Sequence, residues 1–370
     1  MPSALRIAHI DTGRQLRGGQ EQLLSLARGL ARRGHAQLLV CPADSPLEAR
    51  TRQEGLPVRT LPRFNPGQVL GLVGLRRRLR AGAFEVVHAH DARAQTLSWL
   101  ASAGLRLIRV ASRLVAFPPR HPAIHRFKYT RTCHGVIALS DSVRQVLLAA
   151  GVPPDRIEVI PAGIDLPAEL PSPELRRRVR EAWGFTEDEF VAGHVGAFTA
   201  EKGQDVALDA AILLSRRLPR LRLLLAGDGP LRTAFSTTAR VRLGGGAVRL
   251  LGFVENLDEF FAGLDLFVMP SRSEAWGLVA LHAMARGLPV AASRVGGLAE
   301  IVEDGVTGWL VPPASPEALA EAVAAAAADP ERLQRLGSSA RARAQRFSTE
   351  RTVERAEAFY RRLLAPAASP

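Results

Sequence analysis

The sequence predicts an α/β protein with two parallel-sheet domains. Short strand-like runs alternate with amphipathic helical patterns along nearly the whole chain, which is typical of parallel sheets covered by helices on both faces. The chain has 370 residues, 47% of them hydrophobic, which is too long for one ordinary core and suits two domains. A stretch rich in proline and glycine at residues 161–173 separates two such series.

The first series begins with an apolar run at residues 5–10, which predicts a buried first strand. A glycine-containing loop follows, and residues 21–33 then place leucines and alanines on one helical stripe. Gly34 is a typical end for that helix. Further strands are predicted at residues 36–40, 86–90, 107–111, 136–139 and 158–160.

The second series has the same character. Its predicted strands cover residues 190–195, 221–226, 248–251, 266–269 and 290–292. Residues 348–364 predict a last amphipathic helix behind a serine or threonine N-cap. We therefore predict a first domain at 1–165, a linker at 166–189, a second domain at 190–347 and a terminal helical segment at 348–370. Ligands of open parallel sheets bind outside the carboxyl ends of the strands, so we expect the site in a cleft between the domains.

The charge and composition of the chain indicate which kinds of partner and which cellular location to expect. The net charge is +13 and all but two of the 49 basic residues are arginines, the exceptions being Lys128 and Lys202. This charge suits an anionic partner such as nucleic acid, a membrane surface or a phosphorylated lipid, without choosing among them. No apolar run is long enough to cross a bilayer or to act as a signal peptide, so a cytoplasmic location is expected. The two cysteines lack metal-ligand spacing.

Residues 269–290 carry the strongest local signal. A strand is followed by a polar loop with Glu274 and then by a helix that begins near Gly277. The free amides of Trp276, Gly277 and Leu278 at this helix start predict a diphosphate site. Glu274 can accept hydrogen bonds from sugar hydroxyls, and His282 lies about two turns further on. In the alternative interpretation Glu274 caps the helix and His282 is an ordinary core or surface residue.

Two further loops of the second series suit the same ligand. Gly196 and Lys202 lie between a predicted strand and helix, where an ammonium can stabilise a leaving phosphate. Gly297 permits close backbone approach, and Glu300 falls in the first turn of the next helix. A solvated surface lysine is the alternative for Lys202.

The first series offers fewer candidates. Gly18 and Gly19, at a helix start, can bring amides close to a phosphate or an acceptor. His88 and His90 lie at the carboxyl end of a predicted strand, where histidines are more often polar fillers than catalysts. Basic residues crowd residues 113–131 and include Arg113. That segment is either a solvated basic face or a surface for an acceptor or a membrane.

The ordered set of motifs resembles glycosyltransferase family 4, over nearly the whole chain. It consists of GGQEQLLSLARGLARRGH, VIALSDSVRQVLLAAGVPPDRIEVIPAGID, VGAFTAEKGQD, LLAGDGP, SEAWGLVALHAMA and VGGLAEIVEDGVTGWLV. The resemblance implies the GT-B fold, in which two Rossmann-like domains face each other across a cleft. It also implies retaining transfer of a sugar from a nucleotide-sugar donor, bound by the second domain, to an acceptor bound by the first. Such enzymes usually need no metal or other cofactor, and their last helix crosses back to the first domain.

The resemblance implies roles for several residues, and at other positions this chain differs from the family's usual residues. Glu274 would hold the donor sugar, the amides of residues 276–278 the diphosphate, and Lys202 the leaving phosphate. The family usually has a glutamate that grips the ribose where His282 stands, and a phosphate-binding arginine where Ala197 stands. Many relatives also have a histidine where this chain has Ser112 and Arg113, so the acceptor-side role is open.

These considerations predict a retaining hexosyltransferase that acts on a cell-envelope acceptor such as lipopolysaccharide, exopolysaccharide or a lipid-linked glycan. We expect contact with the anionic inner face of the membrane and no nucleic acid partner. A catalytically silent nucleotide-sugar-binding protein and a sugar-nucleotide epimerase are the alternatives. The predicted site residues are, for catalysis, Lys202, Glu274 and His90; for the donor, Gly18, Gly19, Gly196, Trp276, Gly277, Leu278, His282, Gly297 and Glu300; and for the acceptor, His88 and Arg113.

Overall fold

The computed structural model describes residues 3–61, 68–117, 122–243 and 246–365. It consists of two compact units: the first comprises Met1–Gly163 together with Ser348–Pro370, and the second comprises Ile164–Phe347. None of the helices in the described ranges combines the length and the apolar character needed to span a membrane.

The first unit contains a parallel sheet of seven strands. Its strands are β1 (Arg6–Ile10), β2 (Ala36–Pro42), β3 (Val58–Leu61), β4 (Val86–Ala89), β5 (Ile108–Arg113), β6 (Gly135–Ala138) and β7 (Ile157–Val159). They lie in the order β3-β2-β1-β4-β5-β6-β7. The order reverses between β1 and β4, which marks the topological switch point of this sheet.

Helices cover both faces of that sheet. They are α1 (Gly18–Arg32), α2 (Pro46–Gln53), α3 (Gln68–Ala81), α4 (Ala92–Ser102), α5 (Pro122–Phe127) and α6 (Asp141–Ala149). One π-helical turn, Lys128–Thr132, continues directly from α5. Inward residues of β1, such as Ala8 and Ile10, pack with α3 and α4, whereas Ile7 packs with α1 on the other face.

The second unit has a parallel sheet of six strands. They are β8 (Phe190–Val195), β9 (Leu221–Ala226), β10 (Val248–Gly252), β11 (Leu266–Met269), β12 (Val290–Ser293) and β13 (Gly308–Val311). The order is β10-β9-β8-β11-β12-β13, which is the strand order of Rossmann dinucleotide-binding domains. Its helices are α7 (Pro173–Ala182), α8 (Gln204–Leu214), α9 (Arg232–Leu243), α10 (Leu257–Ala262), α11 (Leu278–Ala285), α12 (Leu298–Ile301), α13 (Pro316–Ala328) and α14 (Pro330–Ala344).

The segment that we predicted as a linker, residues 166–189, contains helix α7 and belongs to the second unit. Arg176 and Arg180 of α7 donate to the two carboxylate oxygens of Asp265, at 2.7 and 2.6 Å. Arg180 is 1% exposed and also donates to the carbonyl of Gly263. The linker prediction followed the prolines and glycine of residues 161–173 and overlooked helix α7, which Arg176 and Arg180 attach to Asp265 of the second unit, so the boundary moves to Gly163.

The last helix, α15 (Thr349–Leu364), begins behind Ser348, whose hydroxyl accepts from the amide of Arg351. Although it follows the second unit in sequence, it packs into the first, where Phe359 and Tyr360 are buried in the core beside β1 and β5. Glu357 accepts from Arg33 at 2.7 Å and from Arg361 at 2.8 Å. Burial raises the pKa of this carboxyl, but the two arginines outweigh that effect and lower the pKa to about 2. Apolar packing and the ion pair with Arg33 thus attach the chain terminus to the first sheet.

Most predicted strands are confirmed, with ends that shift by one or two residues. The prediction missed β3 and β13. β3 is a short strand at the edge of the sheet, and none of its residues is fully buried, so it lacks the apolar run of a central strand.

Candidate active site

Two loops leave the second sheet side by side at its switch point. β8 and β11 are hydrogen-bonded neighbours, with Ala192 opposite Leu266 and Gly193 opposite Phe267. Because the strands are parallel, their carboxyl ends meet at one edge of the sheet. The loop after β8 carries Lys202 and the loop after β11 carries Glu274, so the topology alone places these loops together.

Lys202 and Glu274 form an ion pair. The Nζ atom of Lys202 donates to Oε2 of Glu274 at 2.7 Å, across 72 positions of sequence. Their side chains are 25% and 14% exposed. A cation and a carboxylate are therefore held next to each other at the surface of this edge, where both can exchange partners with a ligand.

Gly203 fixes the end of the Lys202 loop. Its φ of +69° lies in the left-handed region, and a Cβ atom there would come within 2.0 Å of the carbonyl oxygen of Pro270 in the other loop. Arg272 joins the same two loops, since its amide donates to the carbonyl of Glu201 and its guanidinium pairs with Asp205. The two loops thus contact each other at Glu201 and Gly203, on both sides of Lys202.

Helix α11 starts directly behind Glu274 with Gly277 at φ +107°. Among the residues that the structure describes, no side chain caps this end. Within the described ranges, the amides of Gly277 and Leu278 have no protein acceptor, whereas those of Ala280 and Leu281 bond the carbonyl of Gly277. Free amides and the positive end of the helix dipole make this start suitable for an anion.

Trp276 is 2% exposed and its ring meets Phe347 edge to face, with centroids 5.3 Å apart. It therefore anchors the loop by packing.

Gly297 supports the Glu274 loop from behind. Its amide donates to the carbonyl of Glu274 at 3.2 Å, and a Cβ atom at this position would lie 2.5 Å from the Cα atom of Trp276. The glycine is therefore required by loop packing. Glu300 lies in the first turn of the short helix α12, and its carbonyl accepts from Arg343 at 2.7 Å.

His282 lies on α11, two turns after Glu274, and is partly buried. Burial, followed by the nearby charge of Arg286, lowers the pKa of its imidazole to about 4. Its Nδ1 atom is buried and has no hydrogen-bond partner among the described residues. His282 is therefore neutral at physiological pH and offers at most one acceptor nitrogen.

The loop after β8 is held by side chains that sequence analysis missed. His194 is fully buried and its Nδ1 donates to the carbonyl of Val268, which leaves Nε2 facing Gln204. Gln204 in turn donates to the carbonyl of Ala197 at 2.8 Å. The amide of Gly196 bonds the carbonyl of Ala226, so Gly196 extends the sheet and its amide is already engaged.

In the first unit the two predicted histidines join a third in a buried network. His9, His88 and His90 are at most 5% exposed. His88 has both ring nitrogens engaged, with Ser112 Oγ at 2.7 Å and with the hydroxyl of Tyr360 at 2.8 Å. His9 donates to Gln37, so its Nδ1 accepts from Nε2 of His90 at 3.0 Å.

This network constrains what the three histidines can do. Burial lowers the pKa of His9 to about 4 and the pKa values of His88 and His90 well below 6.5. One ring nitrogen from each of the three histidines lies within 4.8 Å of the other two, so the three nitrogens are close enough to bind one metal ion. Such an ion would displace the hydrogen bonds just described. His88 has no nitrogen left for an acceptor hydroxyl.

The switch point of the first unit has its own polar cluster, of which the sequence indicated only Asp91, at the end of the strand that carries His88 and His90. Asp91 follows β4, caps helix α4, and accepts from the amide and hydroxyl of Thr12 at 2.5 and 2.9 Å. Asp11 is buried and accepts from Gln20. A polar residue at a strand end followed by a helix start was the available signal for Asp91.

The glycine pair opens helix α1 beside this cluster. The amides of Gln20 and Glu21 bond the carbonyl of Arg17, and those of Gly18 and Gly19 have no acceptor in the described part of the chain. A Cβ atom on Gly19 would lie 2.9 Å from Leu114, so the helix start lies close to the end of β5.

Arg113 ends β5 and is 5% exposed. It donates to the carbonyl of Phe117 at 2.6 Å and to the hydroxyl of Tyr129 at 3.5 Å, and its Nε atom has no partner among the described residues. Residues 118–121 of the predicted basic segment lie outside the described residues.

Comparison with known proteins defines the class. The chain matches the family described as Glycosyl transferases group 1 over residues 176–343 and Glycosyltransferase Family 4 over residues 16–167. It is 30% identical to the D-inositol 3-phosphate glycosyltransferase of Mycobacterium avium over 334 residues, which cover 84% of this chain and 77% of that protein.

The fold has close structural counterparts. The crystal structure of Anabaena HepE in complex with UDP matches with a TM-score of 0.88 at 24% identity, covering 97% of this chain and all of that one. HepE in complex with UDP-glucose matches with a TM-score of 0.85 at 26% identity, covering 96% and 99%. Two Rossmann-like units and these matches define a glycosyltransferase with GT-B domains. The chain belongs to glycosyltransferase family 4.

Proposed function

We propose that this glycosyltransferase moves a hexose from a nucleotide-sugar to an acceptor of the cell envelope, with retention at the anomeric carbon. The ion pair between Lys202 and Glu274 carries the proposal. A sugar phosphate presents an anion and hydroxyl groups only a few ångströms apart, and a cation beside a carboxylate complements both. The free amides at the start of α11 supply the second phosphate site.

The donor contacts follow from this geometry. The diphosphate takes Lys202 and the amides of Gly277 and Leu278, and the sugar hydroxyls take Glu274. Because HepE is described in complex with UDP-glucose, a UDP-hexose is the first donor to test. No metal or other cofactor is needed in this arrangement, since Lys202 and the amides meet the phosphate charge.

We propose front-face displacement as the mechanism. The bond between the anomeric carbon and the phosphate oxygen breaks while the acceptor oxygen approaches on the same face. The acceptor proton passes to that phosphate oxygen, the new glycosidic bond forms, and the nucleotide diphosphate leaves. Lys202 stabilises the growing negative charge on the phosphate during bond breaking. His90, buried and bonded to His9, is not needed for this step.

His282 and Ala197 set the strength of donor binding in this proposal. A neutral imidazole accepts one hydrogen bond where the family's glutamate accepts several, so the ribose is held less firmly. We expect His282→Glu to tighten donor binding by about tenfold, corresponding to about 1.4 kcal/mol. Calorimetry with UDP-glucose measures this change, with Glu331→Gln, at a side chain that is 90% exposed on α14, as a control away from α11. An unchanged affinity would contradict the role of position 282.

For the acceptor we propose a class of molecules and not a single compound. We propose a cell-envelope acceptor that is presented at the inner face of the membrane, to a cytoplasmic enzyme that contacts that face peripherally. The relatives named D-inositol 3-phosphate glycosyltransferase make inositol phosphate the competing acceptor.

A donor and acceptor panel tests the function. Purified protein is incubated with UDP-, GDP- and ADP-sugars, alone and with membrane extracts, lipid-linked glycans or inositol 3-phosphate. Nucleotide release that depends on an acceptor supports transfer, and the anomeric configuration of the product by NMR tests retention. An epimerised nucleotide-sugar, formed without any acceptor, would instead identify an epimerase.

One specific observation favours a second candidate, a catalytically silent nucleotide-sugar-binding protein. Both phosphate- and ribose-binding side chains typical of the family are replaced, by Ala197 and His282. Binding of a nucleotide-sugar without turnover against the whole panel, followed by turnover in the His282→Glu variant, would establish that alternative.

A further inference from the structure

The segment between β4 and α6 has an extreme charge composition. Residues 92–140 contain no aspartate or glutamate and eight arginine or lysine residues. In a chain that has 36 acidic residues overall, such a stretch is not explained by the general excess of arginine. It forms α4, β5, α5 and β6 of the first unit.

Large apolar side chains are exposed in the same segment. Phe117, Ile124 and Phe127 are 62%, 57% and 51% exposed. Ile124, Phe127 and Arg131 follow one another at spacings of three and four residues, so they share the outer face of α5 and its π-helical continuation. The inner face of that helical segment carries the buried residues Tyr129 and Thr132.

The exposed apolar surface continues onto the neighbouring helix. The ring of Trp99 on α4 meets Phe127 edge to face, with centroids 6.1 Å apart, and Leu100 is 44% exposed. Arg126 and Arg131 border this surface. Neither forms an ion pair with any carboxylate in the described ranges. We call Leu100, Phe117, Ile124, Arg126, Phe127 and Arg131 the α4–α5 patch.

Arg113 connects the patch to the end of β5. Its guanidinium holds the carbonyl of Phe117 and reaches the hydroxyl of Tyr129, so Phe117 is tied to the helical segment that carries Phe127. The patch therefore lies beside the carboxyl edge of the first sheet, where an acceptor is expected to bind.

We propose that the α4–α5 patch docks the enzyme on an anionic lipid bilayer. Apolar side chains bordered by cations suit the boundary between acyl chains and negatively charged headgroups. Nucleic acid would match the charge and leave Ile124 and Leu100 without an apolar environment. The inference deepens the proposed function, because a docked β5 edge would meet an acceptor embedded in that bilayer.

Vesicle sedimentation with the full chain tests the docking. We expect binding to phosphatidylcholine vesicles that contain 30% phosphatidylglycerol and much weaker binding to pure phosphatidylcholine. Arg126→Gln/Arg131→Gln leaves the buried face intact and should weaken binding by roughly tenfold or more. Ile124→Glu/Phe127→Glu should abolish it. The matched controls in the second unit are Arg216→Gln and Phe253→Glu, the latter at a side chain that is 78% exposed.

The outcomes separate this inference from the proposed function. Equal vesicle binding by patch and control variants would overturn the docking, as would equal binding to neutral vesicles. Loss of self-association in the Phe127 variant, with vesicle binding unchanged, would assign the patch to a second copy and also overturn it. UDP-glucose binding by calorimetry should stay unchanged in all four variants. Vesicle binding without any nucleotide-sugar binding would leave the docking intact and contradict the donor assignment.

Discussion

Replacement of Lys202 by alanine is the most direct test of the donor site. The substitution removes an ammonium that lies 2.7 Å from Glu274 and that would neutralise the leaving phosphate. Loss of one preformed charge partner at a reacting oxygen costs about 2.7–4 kcal/mol, or 10²–10³-fold in turnover. The pair is partly exposed, at 25% and 14%, so the free energy of unfolding should fall by no more than about 1 kcal/mol.

A matched control exists in the same two loops. Arg272→Ala removes the neighbouring ion pair with Asp205, at 2.6–2.8 Å, and leaves the ammonium of Lys202 in place. Its turnover should change less than tenfold. Turnover is followed by release of UDP in the presence of acceptor, and stability by urea denaturation of each variant.

The contrast between the two variants decides the question. If Lys202→Ala retains turnover within a factor of ten of the unmodified enzyme, the lysine does not stabilise the leaving phosphate. If both variants lose turnover equally, the lysine acts only by holding the two loops together.

Three other predictions concern stability. Burial lowers the pKa of His9 to about 4, below its value of about 6.5 in an unfolded chain, so the unfolded state takes up the proton first. The free energy of unfolding should therefore fall as the pH drops from 6.5 to 4, with a shallower slope in His9→Gln, as measured by urea denaturation at each pH. Gly297→Ala places a Cβ atom 2.5 Å from neighbouring backbone, so it should lower both the melting temperature and the donor affinity. The control Gly74→Ala lies in a helix with open space around it and should raise the melting temperature slightly. Tyr360→Phe leaves the buried Nδ1 atom of His88 unpaired and should lower the free energy of unfolding by about 1–3 kcal/mol; an unchanged urea midpoint would contradict that role.

The fold was largely predictable because strands and helices leave local periodic signals. The central strands of both sheets are continuous apolar runs and were located to within one or two residues. β3 was missed because it lies at an edge and buries none of its residues fully. The linker was misassigned because prolines suggested a break, whereas Arg176 and Arg180 of α7 pair over a long sequence separation with Asp265 of the second unit.

The candidate site was only partly predictable. Lys202 and Glu274 were singled out by their loops, and the structure joins them. The histidines were not predictable in this way. Their position at a strand end predicts access to a ligand, but the sequence does not show that the hydroxyl of Tyr360, 272 positions away, is hydrogen-bonded to His88. His194 was missed because its partner, Val268, lies on another strand. Asp91 was recognisable only as a residue at a strand end, because its partner Thr12 lies on another loop.

The chain's own residues are enough to establish the two-domain α/β architecture and the membership of glycosyltransferase family 4. Hydrophobic periodicity, turn residues and ordered motifs are local properties, so they can be recognised in the amino-acid sequence alone. Only the tertiary structure decides the pairing of a lysine with a glutamate 72 positions away and the burial of three histidines. The same holds for the exposed aromatic surface bordered by arginines. Parallel strands that are neighbours in space are separated in sequence by whole crossover helices, so the contacts between their ends cannot be read from spacing.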